Sequence, residues 1–245
     1  MFRLLKALPL TLALAALSIF ATSCGSSSQS QVRVVHAIPD APPLDVDING
    51  TKITTAPLAF GGFQPASGYT KVSSGSVTIQ AFDTGTTINP IFGTNGVTAS
   101  LSGSSQYTIV LAGFLTGTGT NALAALQITD NNSAPTSGNV EFRIIHASPS
   151  SPGSVDIYIV PPGTDITKVP NPTFSGIAYQ QASPSYASLA AGEYWVIVTT
   201  AGTTAEYISP QDYNLPTPGM IRTLVLVDNP GGGYPPSWLE LNDLN

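Results

Sequence analysis

One stretch of this chain occurs twice. Val32-Arg33-Val34-Val35-His36-Ala37-Ile38-Pro39 returns as Phe142-Arg143-Ile144-Ile145-His146-Ala147-Ser148-Pro149. His36 and His146 are the only two histidines among 245 residues. Each copy of a repeated module must fold, so duplicated residues belong first to the framework. The other landmarks recur in the same order. His36 and His146 lie 110 apart, and Tyr69/Tyr186, Gly75/Gly192 and Gly85/Gly202 lie 117 apart. Thr108-Ile109-Val110-Leu111 and Thr223-Leu224-Val225-Leu226 are offset by 115, and Leu126-Gln127-Ile128-Thr129-Asp130 and Leu239-Glu240-Leu241-Asn242-Asp243 by 113. The small drift in offset means loop insertions between retained strands.

Each copy reads as β-structure. Short β-branched and aromatic runs, such as Val77-Thr78-Ile79-Gln80-Ala81-Phe82 and Tyr194-Trp195-Val196-Ile197-Val198, are bounded by Gly, Pro, Ser and Asn. About seven such runs per copy of roughly 100 residues is the signature of a sandwich. No mature segment holds a helical period. The pattern predicts two tandem immunoglobulin-like (Greek-key) β-sandwiches after a signal peptide. A transthyretin-like or other Greek-key arrangement fits the runs equally well. The expected boundaries are 31–132 and 140–245, joined by a linker at 133–139 rich in Asn, Ser, Pro and Gly. Each copy is expected to fold by itself.

Arg33-Val34-Val35-His36-Ala37, a Pro-rich turn and then Leu44-Asp45-Val46-Asp47-Ile48-Asn49-Gly50 resemble the bacterial "domain of unknown function 4397" family. The second copy carries Arg143, His146, Ala147, Pro149 and then Val155-Asp156-Ile157-Tyr158. Tyr69 with Gly75, and Tyr186 with Gly192, fit the same family. The resemblance covers nearly the whole chain after the signal. It implies a fold and carries no activity.

The first 23 residues read as an export signal. Arg3 and Lys6 precede an uncharged, Leu- and Ala-rich run from Ala7 to Ala21 that ends at Ala21-Thr22-Ser23-Cys24-Gly25. Small residues before a Cys resemble the bacterial lipoprotein signal, with Ala21 where Leu is usual. That resemblance implies cleavage before Cys24 and acylation of its thiol and new amino terminus. A membrane span would need about 20 apolar residues, and this run is shorter and contains Pro9. Cys24 is the only cysteine, so no intrachain disulfide can form. Residues 24–30 read as a polar tether. The expected location is a lipid anchor in the cell envelope, at the outer membrane or the cell surface.

Charged residues make up 9% of the chain, and the formal charge is −6. Loss of Arg3 and Lys6 with the signal leaves −8. No cluster of Lys and Arg offers a nucleic acid its phosphate contacts.

Candidate chemistry is sparse. Val32, Val34 and His36 share one strand face, as do Phe142, Ile144 and His146. Each His then ends a core-facing row just before Pro39 or Pro149, and Asp45 and Asp156 begin the next strand. A His–carboxylate hydrogen bond closing each turn is the expected role, with Arg33 and Arg143 part of the same motif. A His–Asp pair serving a nucleophile or metal would be the functional alternative. Asp83-Thr84-Gly85 is the aspartic-protease triplet, but the second copy has Thr200-Ala201-Gly202, and a lone Asp makes no dyad. It reads as a turn. Asp40, Asp45 and Asp47 lack EF-hand spacing and read as a solvated turn. No catalytic residue, cofactor or metal is expected.

The copies differ in their aromatic residues. The first has Tyr69 and Tyr107 and no Trp, whereas the second has seven Tyr with Trp195 and Trp238. Tyr and Trp favour interfaces, and loops on a rigid sandwich commonly carry recognition. Tyr234 and Trp238, in or beside a Gly- and Pro-rich loop, are the candidate ligand residues. The expected function is non-catalytic binding or adhesion to a glycan or an envelope protein. An extracellular hydrolase or its accessory module, and a purely structural spacer, are the competing readings.

Overall fold

The computed structural model describes residues 28–151 and 153–243. The expected signal and Cys24 lie outside the described residues. The described chain is all-β apart from two single 3-10 turns, Gly119–Asn121 and Ile166–Lys168. The first copy supplies β1 (Gln29–Ala37), β2 (Leu44–Ile48), β3 (Thr51–Lys52), β4 (Phe63–Gln64), β5 (Thr70–Ser73), β6 (Gly75–Asp83), β7 (Val97–Leu101), β8 (Gln106–Ala112) and β9 (Ala124–Thr129). The second supplies β10 (Asn139–His146), β11 (Ser154–Val160), β12 (Phe174–Ala178), β13 (Gln181–Ala182), β14 (Ala187–Ala190), β15 (Gly192–Thr200), β16 (Glu206–Leu215), β17 (Ile221–Val227) and β18 (Ser237–Asn242).

These strands form four open sheets. Two have five strands: β4-β1-β8-β9 with β5 also on β1, and β13-β10-β17-β18 with β14 also on β10. Two have four strands: β3-β2-β6-β7 and β12-β11-β15-β16. Strand for strand, the second pair of sheets repeats the order of the first. In both five-stranded sheets the opening strand pairs in parallel with the penultimate one, Val34 opposite Ile109 and Ile144 opposite Leu224. That parallel pairing departs from the wholly antiparallel sheets of an ordinary immunoglobulin domain.

Alternation along β1 explains the layering. Val32, Val34 and Ile38 join Leu44, Val46, Val77, Ile79 and Ile109 in a core between the first two sheets. Phe142, Ile144, Val155, Ile157, Val196, Val198 and Leu224 do the same in the second copy. The opposite face of each opening strand is buried too. Val35, Ala37, Val110 and Ala112 meet Ile145, Ala147, Val225, Val227 and Leu241 in a third core between the two five-stranded sheets. Strands covered on both faces read as near-continuous apolar runs, and Val34-Val35, Ile144-Ile145 and Ile109-Val110-Leu111 are such runs.

Two residues expected in the tether are strand instead. Gln29 and Ser30 belong to β1, opposite Ser73 and Val72. Ser30 is fully buried, and its hydroxyl donates to the Ser102 carbonyl at 2.8 Å, because its polar side chain can be satisfied inside the sheet edge. Asn139, placed in the linker by composition, likewise opens β10.

Candidate functional site

The duplicated polar residues come first, because they are the ones the sequence singles out. Arg33 and Arg143 sit on the face of β1 and β10 that looks toward the other copy. Arg33 is 2% exposed. Its Nη2 donates to Asp243 Oδ1 at 2.6 Å and to Thr108 Oγ1 at 2.8 Å, and its Nη1 to the Asn242 carbonyl at 3.2 Å. Arg143 Nη2 pairs with Asp130 Oδ1 at 2.7 Å and donates to Thr223 Oγ1 at 2.8 Å, while its Nη1 donates to the Thr129 carbonyl at 3.1 Å. Each arginine therefore makes its shorter pair with the aspartate that closes the other copy, and Arg33 also lies 3.6 Å from Asp130 of its own copy. The hydroxyls of Thr108 and Thr223 donate to Asp130 and Asp243 at 2.7 and 2.6 Å. Tyr69 and Tyr186 lie against the guanidinium groups of Arg33 and Arg143, 5.3 and 4.9 Å from ring centre to Cζ.

Two positive and two negative charges thus cancel inside the third core. Burial alone would lower the Arg143 pKa, but Asp130, Tyr186 and Asp243 outweigh it and hold the guanidinium above its ordinary value. Burial pushes the Tyr186 hydroxyl up to about 12. Tyr69 donates to Asp130 Oδ2 at 2.7 Å. The repeat landmarks Arg, Tyr, Thr and Asp are therefore the parts of one crossed joint, whose charged groups engage one another while Arg33 Nε is left buried without a partner.

His36 and His146 occupy the other face. Both are fully buried. The Ile38 N–H donates to His36 Nδ1 at 3.3 Å, and Nε2 faces the Pro42 carbonyl at 3.1 Å. This arrangement fits the neutral ring with its proton on Nε2. Burial lowers the His36 pKa to about 4, opposed by the Pro42 contact. Ser148 N–H donates to His146 Nδ1 at 3.4 Å. The expected His–Asp bond is not the one the fold makes. Asp45 Oδ2 accepts from Gly85 N–H at 3.0 Å, and its other oxygen pairs with Lys52 at 2.8 Å. Asp156 accepts from Gly176 N–H at 2.6 Å and from Gly202 N–H at 2.8 Å. Gly85 and Gly202 have φ of +80° and +77°, where a side chain would be strained. The carboxylate is needed there because the turn after β6 or β15 leaves an N–H pointing back at β2 or β11. The Lys52 contact and the Gly85 N–H hold Asp45 below its ordinary pKa.

Of the remaining sequence candidates, Asp83-Thr84-Gly85 and Asp40 lie at turns, whereas Asp45 and Asp47, expected with Asp40 as a solvated turn, belong to β2, with Asp45 buried by its contacts to Lys52 and Gly85. Thr84 N–H and hydroxyl both donate to the Pro43 carbonyl, so Asp83-Thr84-Gly85 is a turn on the β2 side. Asp40 accepts from Leu115 N–H at 3.0 Å. Among the described residues, no three His, Cys, Asp or Glu side chains form a group that could hold a metal.

A cleft unique to the second copy remains. Strands β7 and β9 are the edges of the first copy's two sheets, and Gln127 staples them. Its amide donates to the Ser100 carbonyl at 2.8 Å and accepts from Ser100 N–H at 3.2 Å. The position equivalent to Gln127 is Glu240, which turns to Arg222 instead, 2.8 Å away. The position equivalent to Ala125 is Trp238, opposite Leu226 as Ala125 is opposite Leu111. The edges β16 and β18 consequently stand apart around a groove of about 500 Å³.

Ile208, Ser209, Gln211 and Tyr213 line one side of this groove, and residues 234–238 line the other. Tyr234 is 67% exposed and stands edge-on to Tyr207 at 5.5 Å. Tyr213 is half-buried, its ring edge-on to Phe142 at 6.3 Å. Burial and the Glu240 carboxylate push its hydroxyl above the ordinary phenol range. Trp238 packs on the second core, and its indole Nε1 is buried with no acceptor among the described residues.

The Tyr234 loop is anchored from below. Asp228 accepts from the Ser148 hydroxyl and from Gly233 N–H at 3.3 Å, and Gly233 N–H also reaches Ser150 Oγ at 3.1 Å. Gly231, Gly232 and Gly233 all have positive φ, 84°, 93° and 94°, which explains the triple glycine. The Ser148–Asp228 contact was not singled out from sequence, and neither residue is exposed. Of the two candidate ligand residues, both line the groove. Tyr213, which completes it, and Tyr207, which braces Tyr234, sit on an edge strand whose partner the sequence does not reveal.

Fold and site together describe paired all-β sheets with a buried polar joint and an aromatic groove on the second copy. The chain belongs to the family described as "Domain of unknown function (DUF4397)", matched over residues 30–158. That match runs through β9 and β10 into β11, past the segment expected as a linker. No curated protein matches the chain. Among solved structures it is similar to CBMbc (family CBM26) from Eubacterium rectale Amy13K, in complex with maltoheptaose. That likeness has a TM-score of 0.28 and 8% identity, covering 89% of this chain and 98% of that one. A leucine-rich repeat protein from Bacteroides thetaiotaomicron matches with a TM-score of 0.23 and 13% identity, over 83% of this chain and 26% of that one. At such scores neither likeness carries an argument about ligand or fold.

Proposed function

We propose that this protein is a non-catalytic cell-envelope lipoprotein that binds its ligand through the groove of its second copy. Cys24 carries the lipid, a short polar segment leads to β1, and two tandem immunoglobulin-like modules of the DUF4397 family form the body. The observation that carries the reading is the contrast between copies. The framework is shared, yet only the second copy leaves its sheet edges apart and fills the opening with Tyr234, Tyr213 and Trp238. Ligand sites are typically clefts of ~300–1,000 Å³ lined by aromatic groups with a few placed polar ones, and this groove has that size and make-up.

The test uses the full-length protein immobilised and exposed separately to a polysaccharide fraction and a solubilised protein fraction of the envelope. Retention is compared with Tyr234→Ala and with Ile88→Ala, a substitution of the exposed apolar residue of the first copy (74% exposed). Loss with Tyr234→Ala alone is the expected result. Equal retention by all three proteins, or none by any, overturns the reading. Mass spectrometry of the membrane fraction should find an acylated Cys24 as the first residue, and a soluble product beginning beyond it contradicts the anchor.

A further inference from the structure

We infer that the groove between β16 and β18 takes a neutral carbohydrate chain, an inference that rests on the groove being the binding site. Three features of the groove favour sugar over polypeptide. First, its aromatic surface is made of rings held by their neighbours. Tyr234 is braced by Tyr207, Tyr213 by Phe142, and Trp238 by the second core. Rings fixed before the ligand arrives lose little freedom on binding, and the negative face of an aromatic ring attracts the C–H-lined face of a pyranose. Tyr234 offers such a face to solvent.

Second, the polar groups beside the rings suit hydroxyls. Ser209, Gln211 and Ser237 border the cleft, and all three are exposed. The two serine hydroxyls can each donate and accept, and Gln211, whose Nε2 donates to the Ser209 and Pro210 carbonyls, adds an acceptor oxygen, which matches the mixed demand of a sugar hydroxyl.

Third, the edge strand is a poor template for a peptide. Pro210 lies within β16 and has no N–H to give, and the register of β15 with β16 shifts across this residue, between Ile208 and Gln211, and again between Glu206 and Ile208. A strand added along β16 would find its ladder interrupted in the middle of the groove.

The charge of the site selects among sugars. The groove's nearby carboxylates are already engaged, Glu240 with Arg222 at 2.8 Å and Asp212 with the Trp195 indole at 2.6 Å. No Lys or Arg lines the cleft, and the chain is acidic as a whole, with a formal charge of −6. An anionic polysaccharide would meet repulsion without a compensating cation, so the ligand is an uncharged chain.

Trp195 and Trp238 are the two tryptophans of the protein, which makes a direct test available. In full-length Trp195→Phe, the indole emission comes from the groove alone. That protein is titrated with amylose, laminarin and a neutral mannan, with alginate as the anionic comparison and an unrelated extended peptide as the polypeptide comparison. At least one neutral polysaccharide should shift the Trp238 emission saturably, alginate should not, and Tyr234→Ala in the same background should weaken the binding at least tenfold. Thermal melts of both proteins confirm that each is folded. No response to any neutral polysaccharide, or a response unchanged by Tyr234→Ala, overturns the inference. A Tyr234-dependent response to the peptide alone keeps the groove as the binding site while ruling out the carbohydrate.

Discussion

At the scale of single residues, the two histidines show how burial sets behaviour. His36 has an ordinary pKa of 6.5 and a folded value of about 4. Its folded pKa is depressed, so the unfolded chain binds this proton more readily. The stability it contributes is full above about pH 6.5 and is lost as the pH falls toward 4. By pH 5 the loss from this one group should be about 2 kcal/mol. Urea midpoints at pH 7 and pH 5 measure it. The wild-type protein should lose clearly more stability over that interval than His36→Gln, in which the titrating group is gone. Equal losses would mean that the ring is not held neutral. The imidazole contributes shape and two hydrogen bonds, and protonation of Nδ1 would break one of them against Ile38 N–H. Asp45 and Asp156 act differently from the expected partner role, since they hold the turn glycines Gly85 and Gly202. Those glycines share the 117-residue offset of Tyr69 and Tyr186, so the signal lay in the repeat itself. What it lacked was a reason to connect an Asp near the start of a strand to a glycine 40 residues later in the first copy and 46 in the second.

At the scale of elements, the difference between the copies comes down to how two sheet edges meet. Gln127 bridges β9 to β7 by two hydrogen bonds to one residue, Ser100. Gln127→Ala should therefore cost about 1–2 kcal/mol. Tyr234→Ala removes an exposed ring and should change stability by less than about 0.5 kcal/mol. Urea unfolding of the two variants compares them. A larger loss for Tyr234→Ala would make that ring part of the core and no longer a ligand contact. Much of this was legible in the sequence. The strand runs, the order of landmarks and the excess of Tyr and Trp in the second copy all follow from pattern and composition. The Gln127/Glu240 and Ala125/Trp238 exchanges can be read at the 113-residue offset. Their meaning cannot, because nothing local says that β9 faces β7 or that β18 faces β16. The face of β1 that carries Arg33, Val35 and Ala37 was hidden for the same reason. Continuous apolar runs announce burial on both faces, but they do not name the covering layer.

At the scale of the molecule, the repeat builds a joint. Val35, Ala37 and Val110 pack against Ile145, Val225 and Leu241, and Arg33 and Arg143 each reach an aspartate of the other copy. Removing one partner of a buried pair leaves an uncompensated charge and costs roughly 3–5 kcal/mol. A copy separated from its twin would leave Arg33 with only the 3.6 Å contact to Asp130 of its own copy, or Arg143 without Asp130, and would expose the apolar face beside it. Composition favours two copies that fold alone; the crossed pairs favour copies that unfold together. Because both tryptophans lie in the second copy, one experiment separates these outcomes. Urea unfolding of the full-length protein is followed by tryptophan emission, which reports the second copy, and by far-ultraviolet circular dichroism, which reports the strands of both. Coincident single transitions, shifted together to lower urea in Asp243→Asn, are the predicted result. Two separated transitions, with Asp243→Asn moving only the one that tryptophan sees, would contradict the joint.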